Sequence, residues 1–176
     1  KVNFMRTLST LIFLLFGLFA FAQADNAKII KIRKAVEQIN KDSGYTVKKL
    51  SDEEFLEQAT DNGGQLSGYF KNGQLVKMVE WIGLSSCVNV TEYYLQNNQL
   101  IFTYTKGSES PYIESSQSFD QSKFKKTMDC RFYFDNGKLV KSIFFGATRC
   151  GGKPTDALAK DDLEECSRDI KLLTKK

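Results

Sequence analysis

Histidine is absent from the 176-residue chain. That removes the commonest general base, the usual partner of a serine or cysteine nucleophile, and the commonest zinc ligand. Carboxylates remain for acid–base work. Glu53, Glu54, Glu57, Asp61, Glu80 and Glu92 could supply the two acids of a glycosidase. No spacing among them favours a pair, and a solvated surface is the favoured reading. Four cysteines complete the inventory: Cys87, Cys130, Cys150 and Cys166. None of their spacings is that of a zinc or thioredoxin motif. The sequence therefore predicts no catalytic residue, no metal site and no cofactor.

An even cysteine count suits two disulfides in an exported chain, with three possible connectivities. Hydrophobic patterning puts Cys87 and Cys130 on inward positions of strands. Cys166 falls on the inward stripe of a C-terminal helix, and Cys150 in the loop before it. The expected bridges are Cys150–Cys166 and Cys87–Cys130. The first would close a loop of about 16 residues, worth roughly 3 kcal/mol in the chain-entropy picture. Free buried thiols are the alternative.

Two apparent motifs fail on their residues. "GATRCGGKPT" approaches a phosphate loop through Gly146 and Gly151. Gly152 stands where the lysine belongs, and Pro154 removes a backbone donor. Asn89-Val90-Thr91 matches the glycosylation acceptor pattern but falls in an expected strand, where a chance match explains it.

The N-terminus points to a compartment. Lys1 and Arg6 precede the apolar run from Leu11, which ends at Ala20-Phe21-Ala22 before Gln23. A positive flank, a short apolar segment and small residues at −3 and −1 make residues 1–22 a secretory signal peptide. The apolar run of about 12 residues falls short of the roughly 20 needed to span a bilayer, so no stable membrane anchor is expected after cleavage. No cysteine stands at the cleavage point to carry a lipid. The expected location is exported, periplasmic or extracellular. Removing 1–22 takes away two of the positive charges behind a formal net charge of +4. What is left is too small to argue for nucleic acid or an anionic membrane.

Residues 23–176 read as one domain. Ile29, Ile32, Val36 and Ile39 fall on one stripe of a helix capped by Asp25 or Asn26 and running through Asn40. A strand is expected over Tyr45–Leu50. "SDEEFLEQAT" is ambiguous: Ser51 with Glu54 reads as a capping box, while Phe55, Leu56 and Ala59 suit a strand. The strand is favoured because a hairpin follows. Three related hairpins then occupy about 66–146, centred on Asn72, Asn97 and Asn136. Each has tyrosine at −3 (Tyr69, Tyr94, Tyr133) and leucine followed by a β-branched residue after the turn (Val76, Ile101, Val140). Asn-Gly at two turns supplies the positive φ of a two-residue type I′ reversal.

Simple alternation then sets the faces. It groups Leu66, Phe70, Leu75, Val79 and Trp81 in the first hairpin. In the second it groups Tyr93, Leu95, Leu100, Phe102 and Tyr104. In the third it groups Cys130, Phe132, Phe134, Leu139, Ile143 and Phe145. The opposite face pairs Tyr69 with Val76, Tyr94 with Ile101 and Tyr133 with Val140. These six residues are the candidate ligand or partner surface, unless a helix covers them. Ser108–Lys126 reads as a polar loop, and a C-terminal helix over about 156–173 carries Leu163, Cys166, Ile170 and Leu173 on one stripe.

"GYFKNGQLVKMVEWIG" and "RFYFDNGKLVKSIFFG" resemble small exported bacterial proteins of unknown function in which aromatic-x-Asn-Gly-x-Leu-Val hairpins recur. They are also distantly similar to MORN-type repeats. The turn asparagines lack a fixed period, and no activity follows from the resemblance. The expected fold class is α+β: an antiparallel β-meander of hairpin repeats packed with an N-terminal and a C-terminal helix. The expected function is a non-catalytic binding or envelope-interaction module contacting a protein or glycan of the cell envelope. The alternative is a small hydrolase or apolar-ligand carrier with a site in the concave sheet, marked by paired carboxylates or an apolar cavity.

Overall fold

The computed structural model of the chain describes residues 25–56 and 58–175. The signal-peptide segment 1–22 and Glu57 lie outside them. A helix over 25–41, α1, leads into β1 (Thr46–Ser51) and the one-turn helix α2 (Asp52–Phe55). The capping box decides the ambiguous segment. The Ser51 amide donates to the Glu54 carboxylate at 2.8 Å, so a helical turn replaces the expected strand there.

The three hairpins form where the asparagines predict. They are β2 (Gly64–Lys71) with β3 (Gln74–Gly83), β4 (Cys87–Gln96) with β5 (Gln99–Glu109), and, after a small insertion, β8 (Lys125–Asp135) with β9 (Lys138–Gly146). Their central pairs, Asn72-Gly73, Asn97-Asn98 and Asn136-Gly137, all take positive φ between 51° and 77°. That is the left-handed pair a type I′ turn requires. The insertion is a two-stranded ribbon, β6 (Tyr112–Ile113) with β7 (Ser118–Phe119), within the segment expected to be a loop. All other strands join one antiparallel sheet in the order β1-β2-β3-β4-β5-β8-β9. Helix α3 (Leu158–Thr174) closes the chain.

The two long helices take opposite faces. Ile29 and Ile32 of α1, with Val36 and Ile39, pack on Tyr94, Phe102 and Tyr133. Ala159, Cys166 and Leu173 of α3 pack on Leu66, Met78, Tyr93, Leu95, Phe132 and Phe134. At Gly68 an added Cβ would lie 2.8 Å from a Leu173 methyl, so the missing side chain lets α3 lie close to β2. The result is a helix–sheet–helix sandwich with a separate apolar layer on each side.

Register departs from simple alternation in one repeated way. Phe70 pairs with Leu75, but Tyr69 pairs with Lys77, leaving Val76 as an extra residue. Ile101 and Val140 are extra at the equivalent places. Each is a β-bulge, and each reverses the faces of the strand beyond it. Leu66 therefore faces Glu80 rather than sharing its side with Val79 and Trp81. Phe102 and Ile143 pack on the α1 side rather than beside Tyr93 and Phe132. Phe145, expected inward, is 68% exposed. The expected partners Val76, Ile101 and Val140 of the three tyrosines are replaced by Lys77, Phe102 and Lys141.

Both expected disulfides are corrected. The bond joins Cys87 to Cys150, while Cys130 and Cys166 are free and buried. Cys87 and Cys130 do share the α3 face, but β5 lies between their strands. Cys87 pairs with Glu109 and Cys130 with Thr105, four positions along the same strand. Two strand spacings and that offset together far exceed the roughly 7 Å limit on Cα separation. Cys150 sits in a turn beside Ser86, at the sheet end where β4 begins. Cys166 lies two turns inside α3, out of its reach. Among the described residues no helix is long and apolar enough to cross a membrane.

Candidate binding cleft

The tyrosine band is not a free surface. Tyr94 and Tyr133 are 2% and 3% exposed beneath α1. The Tyr94 hydroxyl donates to Glu92 at 2.5 Å and contacts Asn40 of α1 at 3.0 Å. Arg33 of α1 lies over the Tyr133 ring, 5.6 Å from its centre. Tyr69 is half-buried edge-on to Tyr45, and Ile101 and Val140 pack into the same layer, with Val76 half-buried. An amphipathic helix lacking a partner face would expose its own stripe, and this face is what it covers.

The candidate carboxylates scatter, with one exception. Glu54 caps α2, and Glu53 and Asp61 are exposed. Glu92 belongs to the α1 face, where Lys77 at 2.8 Å and Lys106 at 3.2 Å flank it. Burial works against its charge, but the hydrogen bonds from Lys77 and Tyr94 outweigh that and hold the carboxyl below its usual range. Among the described candidates, Glu80 alone lines a cleft.

That cleft, of about 290 Å³, lies on the α3 face, at the sheet end away from the hairpin turns. Its floor is Glu80 and Ile82 of β3, Asn89 and Thr91 of β4, Thr105 of β5, and Met128, Cys130 and Phe132 of β8. Its roof is the segment with Thr148, Gly151 and Pro154, followed by Leu158, Asp161, Asp162 and Glu165 of α3. The Cys87–Cys150 bond ties the roof segment to the start of β4. The first bulge is what turns Glu80 inward, since without it Val79 would face α3.

Among the described residues four carboxylates line this cleft, and no lysine or arginine does. Asp162 accepts from the Thr103 hydroxyl at 2.5 Å, and Glu165 from the Tyr93 hydroxyl at 3.1 Å. Glu80 is 7% exposed and has no hydrogen-bond or ion-pair partner among the described residues. Burial, then the charges of Glu165, Asp169 and Asp162, push its carboxyl up to about 8, with Arg168 opposing. Burial likewise lifts Asp162 to about 6, against the Thr103 hydrogen bond. Asp169, fully buried one helix turn beyond Glu165, is raised by burial although Arg168 lies 2.9 Å away. Burial pushes the Cys130 and Cys166 thiols up to about 12, so neither is a thiolate nucleophile near neutral pH.

Asp162, Asp169 and Glu165 escaped the sequence reading, which followed apolar positions only. The progression Ala159, Asp162, Cys166, Asp169, Leu173 keeps the 3–4 spacing of a buried stripe and puts two aspartates on it. Among the described residues no three His, Cys, Asp or Glu side chains converge as metal ligands. Chemically the cleft offers hydrogen-bond acceptors over an apolar wall. Comparison with family models, curated proteins and solved structures finds no match to this chain.

Proposed function

We propose that the chain is an exported, non-catalytic binding protein whose ligand occupies the cleft between α3 and the sheet. One observation carries this reading: Glu80 is buried and unpartnered, yet lines an open cavity. An uncompensated buried carboxyl costs stability, and proteins keep such groups where function uses them. The Cys87–Cys150 bond fits an oxidising compartment and steadies the roof of the cleft. The envelope partner contacts this cleft rather than the tyrosine face, which α1 occupies. Methyl NMR of Ile82 and Met128 tests the reading. In a screen of small polar and apolar fragments, binders move these two signals, and a bulky Leu158→Trp substitution at the rim abolishes the effect. A screen whose binders leave both methyls unmoved contradicts it.

A second reading, a small hydrolase, has its own support. Glu80 at about 8 and Asp162 at about 6 are neutral and ionised respectively at pH 7, the division of labour between a general acid and a general base. Turnover of chromogenic glycosides or esters that disappears in Glu80→Gln would favour it over simple binding.

A further inference from the structure

We propose that the cleft takes an organic cation: a primary ammonium or guanidinium head on a short apolar stem. This rests on the cleft being a ligand site and names the chemistry of its occupant. The lining is one-sided. Glu80, Asp161, Asp162 and Glu165 face the space with no basic side chain among them. Thr91 and Thr105 hydroxyls stand beside them, 3.2 Å apart. The groups left without partners are oxygens: the Glu80 carboxyl makes no hydrogen bond or ion pair among the described residues, and the Asn89 side-chain oxygen is buried without a partner. Unmet acceptors call for a donor-rich ligand, and an ammonium brings three donors with a compensating charge.

A bare metal ion suits the site poorly, because no three ligating side chains converge there. An anion would meet four carboxylates. The wall also carries Ile82, Met128, Phe132 and Leu158, which suit a hydrocarbon stem. The groups facing Glu80 are Asp162, Glu165, Arg168 and Asp169 from α3 and the neutral Thr91 and Tyr93 from β4. With acids in excess, Glu80 holds a proton near neutral pH. A bound ammonium displaces that proton to solvent, so affinity rises between pH 6 and pH 9. An alkylammonium stays charged to about pH 10.

The test uses the 23–176 protein and three probes of equal stem: hexylammonium, 1-hexanol and hexanoate. Calorimetry and the Ile82 and Met128 methyl signals report binding. Hexylammonium is expected to bind roughly tenfold or more tightly than hexanol, and hexanoate not at all. Binding should release a proton at pH 7, seen as a heat that varies with buffer, and Glu80→Gln should lose both the preference and the release. Hexanol or hexanoate binding as well as hexylammonium overturns the cation and leaves the cleft as a ligand site. Silence of the cleft methyls to every probe and fragment overturns both. A Glu80→Gln protein that keeps its fold and its preference for hexylammonium also refutes the assignment.

Discussion

Replacing Glu80 by glutamine keeps the size and shape of the side chain and removes its charge, so the variant isolates the cost of burying that carboxyl. The sign follows from linkage. The acid is raised in the folded chain, from an ordinary 4.5 to about 8. Below pH 4.5 it is protonated in both folded and unfolded states and costs nothing as a charge. Between pH 4.5 and 8 the unfolded chain ionises while the folded one holds its proton, so stability falls by about 1.4 kcal/mol per pH unit. The loss amounts to about 3 kcal/mol at pH 7 and levels off near 5 kcal/mol above pH 8. Glu80→Gln escapes this loss. Urea unfolding of both proteins at pH 4, 5, 6, 7, 8 and 9 measures the difference, with the disulfide kept oxidised. The two should agree within about 1 kcal/mol at pH 4, since the protonated acid and the amide are similar hydrogen-bonding groups. The glutamine protein should then pull ahead steadily to pH 8. A difference that stays flat with pH, or a glutamine protein weaker at pH 8, would refute the account of Glu80 as a buried acid without a partner.

Two further outcomes follow from the packing. Opening the Cys87–Cys150 bond by Cys87→Ser with Cys150→Ser frees a span of 63 residues and should cost about 4 kcal/mol in thermal or urea unfolding; a non-reduced peptide map should recover that pair, with Cys130 and Cys166 alkylated only after unfolding. Tyr94→Phe removes a hydroxyl bonded to Glu92 and Asn40 and should cost about 1–3 kcal/mol, while Tyr94→Ser leaves a cavity under α1 costing about 3–5 kcal/mol. A Tyr94→Ser protein as stable as the parent would mean that α1 does not cover this face in solution.

Much of the architecture is legible because its signals are local. Asn-Gly needs only its own two residues to reverse the chain, and the stripes of α1 and α3 need only a 3.6-residue period. The bulges are a different kind of fact. A turn sets the first two pairs beyond it, Lys71 with Gln74 and Phe70 with Leu75, and says nothing of the next. Whether Val76 pairs or is left over depends on what covers each face, and alternation alone gives the wrong answer for every residue beyond. One such residue is Glu80, so the cleft was hidden by the same error. The disulfide was hidden by distance: inward-facing cysteines are visible in the pattern, but their separation across β5 is not. Asp162 and Asp169 were legible in principle, as charged residues in a buried spacing, to a reading that tracked position before polarity.

The two faces of this sheet answer the same electrostatic problem differently. On the α1 side, the half-buried Glu92 and the buried Asp129 are matched by bases. Lys77 and Lys106 hold Glu92, while Arg131 at 2.8 Å and Lys126 at 3.0 Å hold Asp129. On the α3 side, among the described acids at and beneath the cleft, only Asp169 has an ion pair, with Arg168. Asp162 and Glu165 have one hydroxyl each, and Glu80 has nothing. Composition does not force this, since the chain carries 25 lysines and arginines against 21 acids. Geometry does not force it either: Thr91 sits directly opposite Glu80 on the same face, where a lysine would have supplied the missing charge. The same fold thus closes its charge balance on one side and leaves it open on the other, at the one place where the open charge borders a cavity. A structural role accounts for the closed side. The open side is accounted for by a positive group that comes from outside the chain.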